Sequence, residues 1–214
     1  MTVFLRSIQT RALCELAPII PVLVVHDVAH AIPLAQALVR GGLPVLEVTL
    51  RTPAALDVIA AMATVEGGHV GAGTLVTPED VLAAKAAGAT FGVAPGATDV
   101  LLDACEAADL PMLPGAATAS EAMRLLERGY DMLKFFPAEA SGGVDALKGI
   151  GAPLPQISFC PTGGVNPQNA PSYLALSNVV CAGGSWVAPS DLVNAGKWDE
   201  IEALARAAST LVRG

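Results

Sequence analysis

The chain has 214 residues, of which 53% are hydrophobic and 15% charged, and its formal net charge is −8 at pH 7. This length allows a sizeable buried core without disulfide or metal cross-links, and the composition excludes intrinsic disorder. The negative charge argues against nucleic acid and anionic membrane surfaces as partners, and aromatic residues, at 4%, are too few for a single-strand stacking surface.

The N-terminal region is predicted to hold neither a membrane span nor a secretion signal. The apolar run at residues 17–25 contains two prolines and has roughly half of the ~20 residues that a spanning helix needs. Polar residues follow Leu5 too soon for a signal peptide. The four cysteines, at positions 14, 105, 160 and 181, stand alone, which is typical of small core residues in a reducing compartment. We therefore expect a cytoplasmic protein without a membrane partner.

A first helix is predicted over about residues 3–16, and eight short apolar runs follow it. Each run leads into an alanine-rich amphipathic stretch, and the runs begin roughly every 20–25 residues, as in strand–helix units of a parallel sheet. The predicted strands are 22–25, 45–50, 70–75, 91–95, 112–115, 132–137, 157–161 and 178–183. Their almost continuous apolarity is typical of strands that are covered on both faces.

The stretches between the strands carry helix signals. Thr77 is a predicted N-cap and Gly88 ends that helix, whereas Thr118 and Glu121 form a predicted capping box in a helix that closes at Gly129. Further helices are predicted to start near residues 28, 53, 99, 144, 167 and 198.

Eight strand–helix units in about 200 residues lie at the lower size limit of a (β/α)8 barrel. The alternative is a doubly wound open sheet, which would usually show a Gly-x-Gly-x-x-Gly turn after its first strand. This chain has His26, Asp27 and Val28 there, and no linker divides it. We therefore predict an α/β fold with a single (β/α)8 TIM-barrel domain over residues 1–214 and an extra N-terminal helix.

Two charged residues lie inside the predicted strands, Glu47 in the second and Lys134 in the sixth. They could form a structural ion pair, but a buried pair is costly and rarely stabilises more than apolar residues would. Burial disfavours the ammonium form of a lysine, and the neutral amine can attack a carbonyl carbon to form a Schiff base. A nearby carboxylate can perform the proton transfers of imine chemistry. The pattern therefore favours a catalytic pair.

Two glycine clusters follow the seventh and eighth predicted strands, at residues 162–164 and 183–185. Glycines allow backbone N–H groups to surround a phosphate, and these two loops are the usual phosphate position in the barrel fold. The alternative is that the glycines only form tight turns.

The histidines are weaker candidates. His26 follows the first predicted strand and could face the site, whereas His30 and His69 are interpreted as structural. The three are too scattered for a metal triad, and no acidic cluster replaces one. We therefore expect no metal.

Six segments occur in the order of a known family through nearly the whole chain, from Pro21 to about Val187. They are Val-Leu-Glu-Val-Thr-Leu-Arg-Thr at 45–52, Val-Gly-Ala-Gly-Thr at 70–74, Pro-Gly at 95–96, Lys-Phe-Phe-Pro-Ala-Glu at 134–139, Pro-Thr-Gly-Gly at 161–164 and Gly-Gly-Ser-Trp at 183–186. With these segments the chain resembles the 2-keto-3-deoxy-6-phosphogluconate (KDPG) aldolases, also called 4-hydroxy-2-oxoglutarate (KHG) aldolases.

The resemblance implies a class I aldolase without cofactor that splits KDPG into pyruvate and glyceraldehyde 3-phosphate in the Entner–Doudoroff route, and KHG into pyruvate and glyoxylate. It implies that Lys134 forms the Schiff base, that Glu47 is the general acid and base, and that the protein is a homotrimer. The implied substrate contacts are Arg51 and Thr74 at the pyruvyl carboxylate, Gly163, Gly164, Gly184 and Ser185 at the phosphate, and Pro95 and Phe136 elsewhere in the site.

Two positions depart from the family pattern: Ala94 replaces a common serine, and His26 and Asp27 stand where a basic residue is frequent. Two other functions remain as alternatives. One is a phosphate-binding barrel isomerase or synthase without a covalent lysine, which leaves Lys134 unexplained. The other is a catalytically silent barrel that binds sugar phosphates, which would not need both Lys134 and Glu47.

Overall fold

A computed structural model describes the backbone of residues 3–214 and the side chains of residues 7–214. The strands are β1 (Ile19–Leu23), β2 (Val45–Thr49), β3 (His69–Gly73), β4 (Phe91–Val93), β5 (Met112–Leu113), β6 (Gly115–Ala116), β7 (Met132–Phe135), β8 (Ser158–Pro161) and β9 (Ala182–Gly184). The helices are α1 (Val3–Glu15), α2 (Ala31–Arg40), α3 (Ala55–Met62), α4 (Pro78–Ala86), α5 (Asp99–Ala107), α6 (Ala119–Glu127), α7 (Gly143–Gly151), α8 (Ala170–Leu174), α9 (Ser190–Asn194) and α10 (Trp198–Ser209).

The strands are parallel and form a closed barrel. They pair in the orders β5-β4-β3-β2-β1-β9 and β6-β7-β8. Pro114 has no N–H to give to a ladder and separates β5 from β6, which are two halves of one barrel strand. Isolated bridges from Phe159 to Val179 and from Thr162 to Gly183 close the remaining gap between β8 and β9. The predicted barrel is therefore confirmed.

The first and last strands lie at different bounds from the predicted ones. β1 begins at Ile19 and includes Pro21, which is in register with Gly184. It ends at Leu23, where the hydroxyls of Thr49 and Thr52 donate to the carbonyls of Leu23 and Val25, at 2.9 and 2.7 Å. β9 is shorter than predicted, since Val179 makes an isolated bridge and the ladder begins at Ala182.

The two predicted helix caps are present. Thr77 and Asp80 form a capping box at α4, and Thr118 and Glu121 form one at α6. Hydrogen bonds from the N–H groups of Ala117 and Thr118 hold the pKa of Glu121 below its usual value. The predicted helix start near residue 28 is instead a 3-10 turn over Val28–His30 that leads into α2, and the short helix α9 was not predicted.

Helix α1 covers the N-terminal end of the barrel. The Thr10 hydroxyl donates to the Met112 carbonyl at 3.2 Å, and Arg11 donates to Ser158 at 2.8 Å and forms an ion pair with Asp131 at 3.2 Å. Cys14 packs from the same helix into the lower barrel interior. α1 is therefore an integral part of the domain.

The barrel interior beneath the site is apolar and contains Ile20, Val45, Phe91, Met132, Cys160 and Cys181. The four cysteines are buried as predicted, and none of them forms a disulfide within the described side chains. No helix in the described part of the chain has both the length and the apolarity to cross a membrane.

Candidate active site

A cavity of about 310 Å³ lies at the C-terminal ends of the barrel strands. This is the end at which barrels of this kind hold their active sites. Its walls include nine of the predicted site residues, namely Glu47, Arg51, Thr74, Pro95, Lys134, Phe136, Gly163, Gly164 and Ser185. Glu47 and Lys134, which are 87 positions apart in sequence, are thus brought into one site by strand order.

Lys134 and Glu47 form the centre of the cavity. The Nζ atom of Lys134 lies 3.1 Å from Oε1 of Glu47, and the residues are 5% and 3% exposed. The Phe136 ring centroid lies 5.2 Å from the same Nζ atom. Within the described side chains no other acid pairs with Lys134, so proton transfer within the pair can generate the neutral amine that nucleophilic attack requires.

Glycines on neighbouring strands make room for the polar side chains of the site. A Cβ atom on Gly73 of β3 would lie 2.4 Å from Oε1 of Glu47, and one on Gly183 of β9 would lie 2.3 Å from Oγ1 of Thr162. Any side chain at Gly73 would therefore displace the carboxylate from Lys134. The second glycine of the Val-Gly-Ala-Gly-Thr segment, Gly73, is thus needed to leave room for the Glu47 carboxylate.

The next residue, Thr74, has a backbone φ of 64°, in the left-handed region. This conformation is rare for a β-branched residue and costs on the order of 1–3 kcal/mol. Thr74 lies in the cavity wall in this conformation, on the side where β2 and β3 end. Arg51 follows β2 on this side, and its guanidinium has no hydrogen-bond acceptor among the described residues. Together they form a site suited to a carboxylate, which a guanidinium can bind with two parallel hydrogen bonds.

The opposite wall contains the segment 162–165, which we call the phosphate loop. Gly163 and Gly164 have φ values of 98° and 82°, which glycine adopts without steric cost. The N–H groups of Gly163, Gly164 and Val165 have no acceptor within the described structure. Successive N–H groups of this kind form a concave site for an anion.

The remaining predicted residues are placed as follows. Ser185 lines the cavity beside the phosphate loop, whereas Gly184 lies in β9 and a Cβ atom there would overlap the Trp186 ring. His26 is exposed and is absent from the cavity wall, and His30 packs edge-on against Trp198 at 5.6 Å. No group of three His, Cys, Asp or Glu side chains in the described chain could hold a metal ion.

The sequence interpretation missed individual roles for Val22, Thr49 and Thr162, which also line the cavity. Thr162 is 6% exposed. Every second residue of a barrel strand faces the interior. Val22 in β1, Thr49 in β2 and Thr162 directly after β8 lie at such positions, and this alternation is the only sequence signal for them.

A slightly larger cavity of about 350 Å³ lies elsewhere, between α5 and α6. Its most buried cation, Arg128, pairs with Asp99, Asp103 and Glu106. Because these carboxylates neutralise the arginine, this cavity has no comparable anion site and contains no buried amine.

Comparison with known proteins agrees with this geometry. The family model described as KDPG and KHG aldolase matches residues 10–204. A 2-dehydro-3-deoxy-phosphogluconate aldolase of Pseudoalteromonas atlantica is 56% identical over 89% of this chain and 89% of its own length. A KHG/KDPG aldolase of Escherichia coli K12 is 50% identical over 89% of this chain and 90% of its own length.

Solved structures extend the similarity to the whole fold. The KDPG aldolase of Zymomonas mobilis with 3-phosphoglycerate has a TM-score of 0.90 and 47% identity, with 95% of this chain and 96% of that one covered. The Legionella pneumophila enzyme, with pyruvate captured as a covalent carbinolamine, has a TM-score of 0.91 and 44% identity, with coverages of 94% and 98%. These similarities confirm the predicted resemblance and the expected class, a Schiff-base lyase. The chain belongs to the KDPG and KHG aldolase family.

Proposed function

We propose that this chain cleaves KDPG to pyruvate and glyceraldehyde 3-phosphate, and KHG to pyruvate and glyoxylate, through a Schiff base on Lys134. The observation that carries the proposal is the buried amine of Lys134 at 3.1 Å from the Glu47 carboxylate, in a cavity with an anion site on either side. An imine on Lys134 would act as the electron sink for carbon–carbon cleavage.

The first half of the reaction attaches the substrate. The ammonium of Lys134 gives a proton to Glu47, and the resulting amine attacks the C2 carbonyl of the keto acid. Proton transfers through Glu47 convert the tetrahedral carbinolamine to an imine with loss of water. The short distance between the two groups allows one carboxylate to perform all of these transfers.

The second half breaks the bond between C3 and C4. Glu47 removes the proton from the C4 hydroxyl, the aldehyde forms, and the electron pair of the broken bond moves into the protonated imine to give an enamine. Protonation at C3 returns an imine, and water then releases pyruvate and regenerates the Lys134 amine. Every proton that is taken up by the carboxylate is returned to the product or to water.

The two ends of the substrate bind on opposite walls. Arg51 and Thr74 hold the carboxylate next to C2, which both substrates share. The N–H groups of Gly163, Gly164 and Val165, with Ser185, hold the phosphate that only KDPG carries. The family role of Gly184 would be through its backbone, since it has no side chain and lies in β9.

We expect the purified protein to release one pyruvate per KDPG consumed, at an undiminished rate in excess EDTA, because Lys134 replaces a metal as electron sink. A lactate dehydrogenase-coupled assay measures pyruvate directly. Loss of activity that zinc, magnesium or manganese restores would contradict the class I mechanism. Conversion of a phosphorylated sugar without carbon–carbon cleavage would instead favour the isomerase or synthase alternative.

We also propose that the protein is a homotrimer. Three apolar side chains lie at 58–64% exposure on or beside the neighbouring helices α4 and α5, namely Val76, Leu82 and Val100. Val76 also lines a shallow apolar cavity of about 180 Å³. Large apolar side chains exposed on adjacent helices favour association. Sedimentation velocity should give three times the 21.7 kDa of one chain, and Leu82→Asp with Val100→Asp should give monomer. A monomeric wild type would contradict the proposal.

A cytoplasmic location is part of the same proposal. It is supported by four buried cysteines without a disulfide among the described side chains, as expected in a reducing compartment. Fractionation of the native cells tests this location.

A further inference from the structure

A buried contact between a tyrosine and a glutamate lies against the phosphate loop. Tyr173 on α8 is fully buried, and its hydroxyl donates a hydrogen bond to Oε1 of Glu139, in the connection between β7 and α7. Burial, and then this hydrogen bond, raise the pKa of Tyr173 above its usual value, so the hydroxyl remains a donor. The contact joins the segments on both sides of the loop.

Glu139 also packs directly on the phosphate loop. A Cβ atom on Gly164 would lie 2.5 Å from Cγ of Glu139, so the side-chain stem of the glutamate occupies the space beside that glycine. The Glu139 N–H donates to the Gly163 carbonyl at 3.0 Å, and the Ala138 N–H donates to the Thr162 carbonyl at 2.8 Å. The amide groups of Asn166 and Asn169 donate to the Gly164 carbonyl at 3.3 and 3.1 Å.

These hydrogen bonds determine which way the loop N–H groups point. In a planar trans peptide the carbonyl and the following N–H point in opposite directions. Because the carbonyls of Thr162, Gly163 and Gly164 are held by the protein, the N–H groups of Gly163, Gly164 and Val165 are turned to the other side, and no described acceptor takes them. An anion site of this kind depends on preorganised donors.

We infer that Glu139 and Tyr173 form a clasp that holds the phosphate loop in its anion-binding conformation, and that both are positioning residues for phosphorylated substrates. This inference rests on the proposed function, since it assigns the loop to a substrate phosphate. The clasp contacts neither Lys134 nor Glu47, which have only each other as charged partners among the described residues. It should therefore affect phosphate binding without changing the chemical step.

The test is Tyr173→Phe, which removes only the hydroxyl. We expect the KM for KDPG and the Kd for 3-phosphoglycerate, measured by calorimetry, to rise about fivefold to tenfold, as for one lost hydrogen bond. The kcat for KDPG and the KM for KHG, which has no phosphate, should stay within about twofold. Glu139→Ala should behave like Tyr173→Phe, and Glu139→Gln, which keeps an acceptor, should restore most of the affinity.

Tyr130→Phe is the matched control. Tyr130 is also fully buried, and its hydroxyl donates to Glu106 at 3.3 Å, away from the cavity. Tyr130→Phe should lower the Tm comparably and leave both KM values unchanged. If Tyr130→Phe and Tyr173→Phe change the ratio of the KM for KDPG to the KM for KHG equally, the clasp inference is wrong.

Ser185→Ala separates the clasp from the phosphate assignment. If Ser185→Ala weakens 3-phosphoglycerate and KDPG binding but Tyr173→Phe does not, the clasp is wrong and the proposed function stands. If wild-type protein binds no 3-phosphoglycerate, or if every variant loses KDPG and KHG equally, the phosphate assignment fails and the clasp fails with it. Cleavage of KHG by the wild type reports separately on the Schiff-base chemistry.

Discussion

Replacement of Lys134 by alanine is expected to reduce cleavage of KDPG and KHG to background and to abolish covalent trapping of pyruvate by borohydride. Borohydride reduces an imine to a stable secondary amine, so wild-type protein should gain one reduced pyruvyl group per chain. Peptide mass mapping should place that group on Lys134. The reason is that Lys134 is the one lysine in the described chain whose side chain is buried in the cavity, whereas Lys85, Lys148 and Lys197 are exposed.

Lys148→Ala is the control. Lys148 lies exposed on α7, so this substitution should leave trapping and turnover unchanged. Lys134→Ala leaves the Glu47 carboxylate buried without its partner, which costs on the order of 3–5 kcal/mol unless the acid takes up a proton. Lys134→Met, which also removes the charge but fills the same space, separates this effect from lost packing, and circular dichroism verifies the fold of both. Pyruvate that is still trapped in either folded variant would assign the Schiff base to another residue.

Glu47→Gln is expected to lower kcat for both substrates by about 10²–10⁴-fold while trapping still labels Lys134. Glutamine can accept the hydrogen bond from Nζ at the 3.1 Å position, but it cannot take up the protons of imine formation and cleavage. Trapping reactions that are quenched at short times should show slower labelling than in the wild type. The residue that is finally labelled should still be Lys134. Glu106→Gln, at the remote Tyr130 contact, is the control. A kcat within about tenfold of wild type would assign proton transfer to another group.

The pair that we propose as catalytic could be identified from sequence because a charge inside an apolar strand is conspicuous. Glu47 and Lys134 break two otherwise apolar runs, and strand order alone brings them together once the barrel is assumed. The threonines of the site gave no such signal, since Thr49 and Thr162 are ordinary β-branched residues for a strand. Only the structure shows that Gly183 faces Thr162 and that the Thr49 hydroxyl donates to the Leu23 carbonyl.

Other features depended on tertiary contacts that no local pattern encodes. β1 ends where hydroxyls of Thr49 and Thr52 replace ladder donors, and the fifth barrel strand divides at Pro114. The clasp joins Glu139 and Tyr173 across 34 positions, and although Glu139 ends a family segment, nothing in the local sequence points to Tyr173 as its partner. The sequence pattern therefore predicted the architecture and the charged pair at the centre of the cavity, whereas the supporting hydrogen bonds required the folded chain.

The covering of the barrel by α1 determines how substrate and products exchange. With Thr10, Arg11 and Cys14 packed against the N-terminal end, molecules pass through the cavity mouth at the C-terminal ends of the strands. On the proposed mechanism the pyruvyl unit is still tethered to Lys134 after cleavage, while the aldehyde is held by hydrogen bonds alone. On the same mechanism we expect the aldehyde to leave through that mouth before water releases the tethered unit, so that pyruvate is the last product, and product-inhibition kinetics would reveal this order.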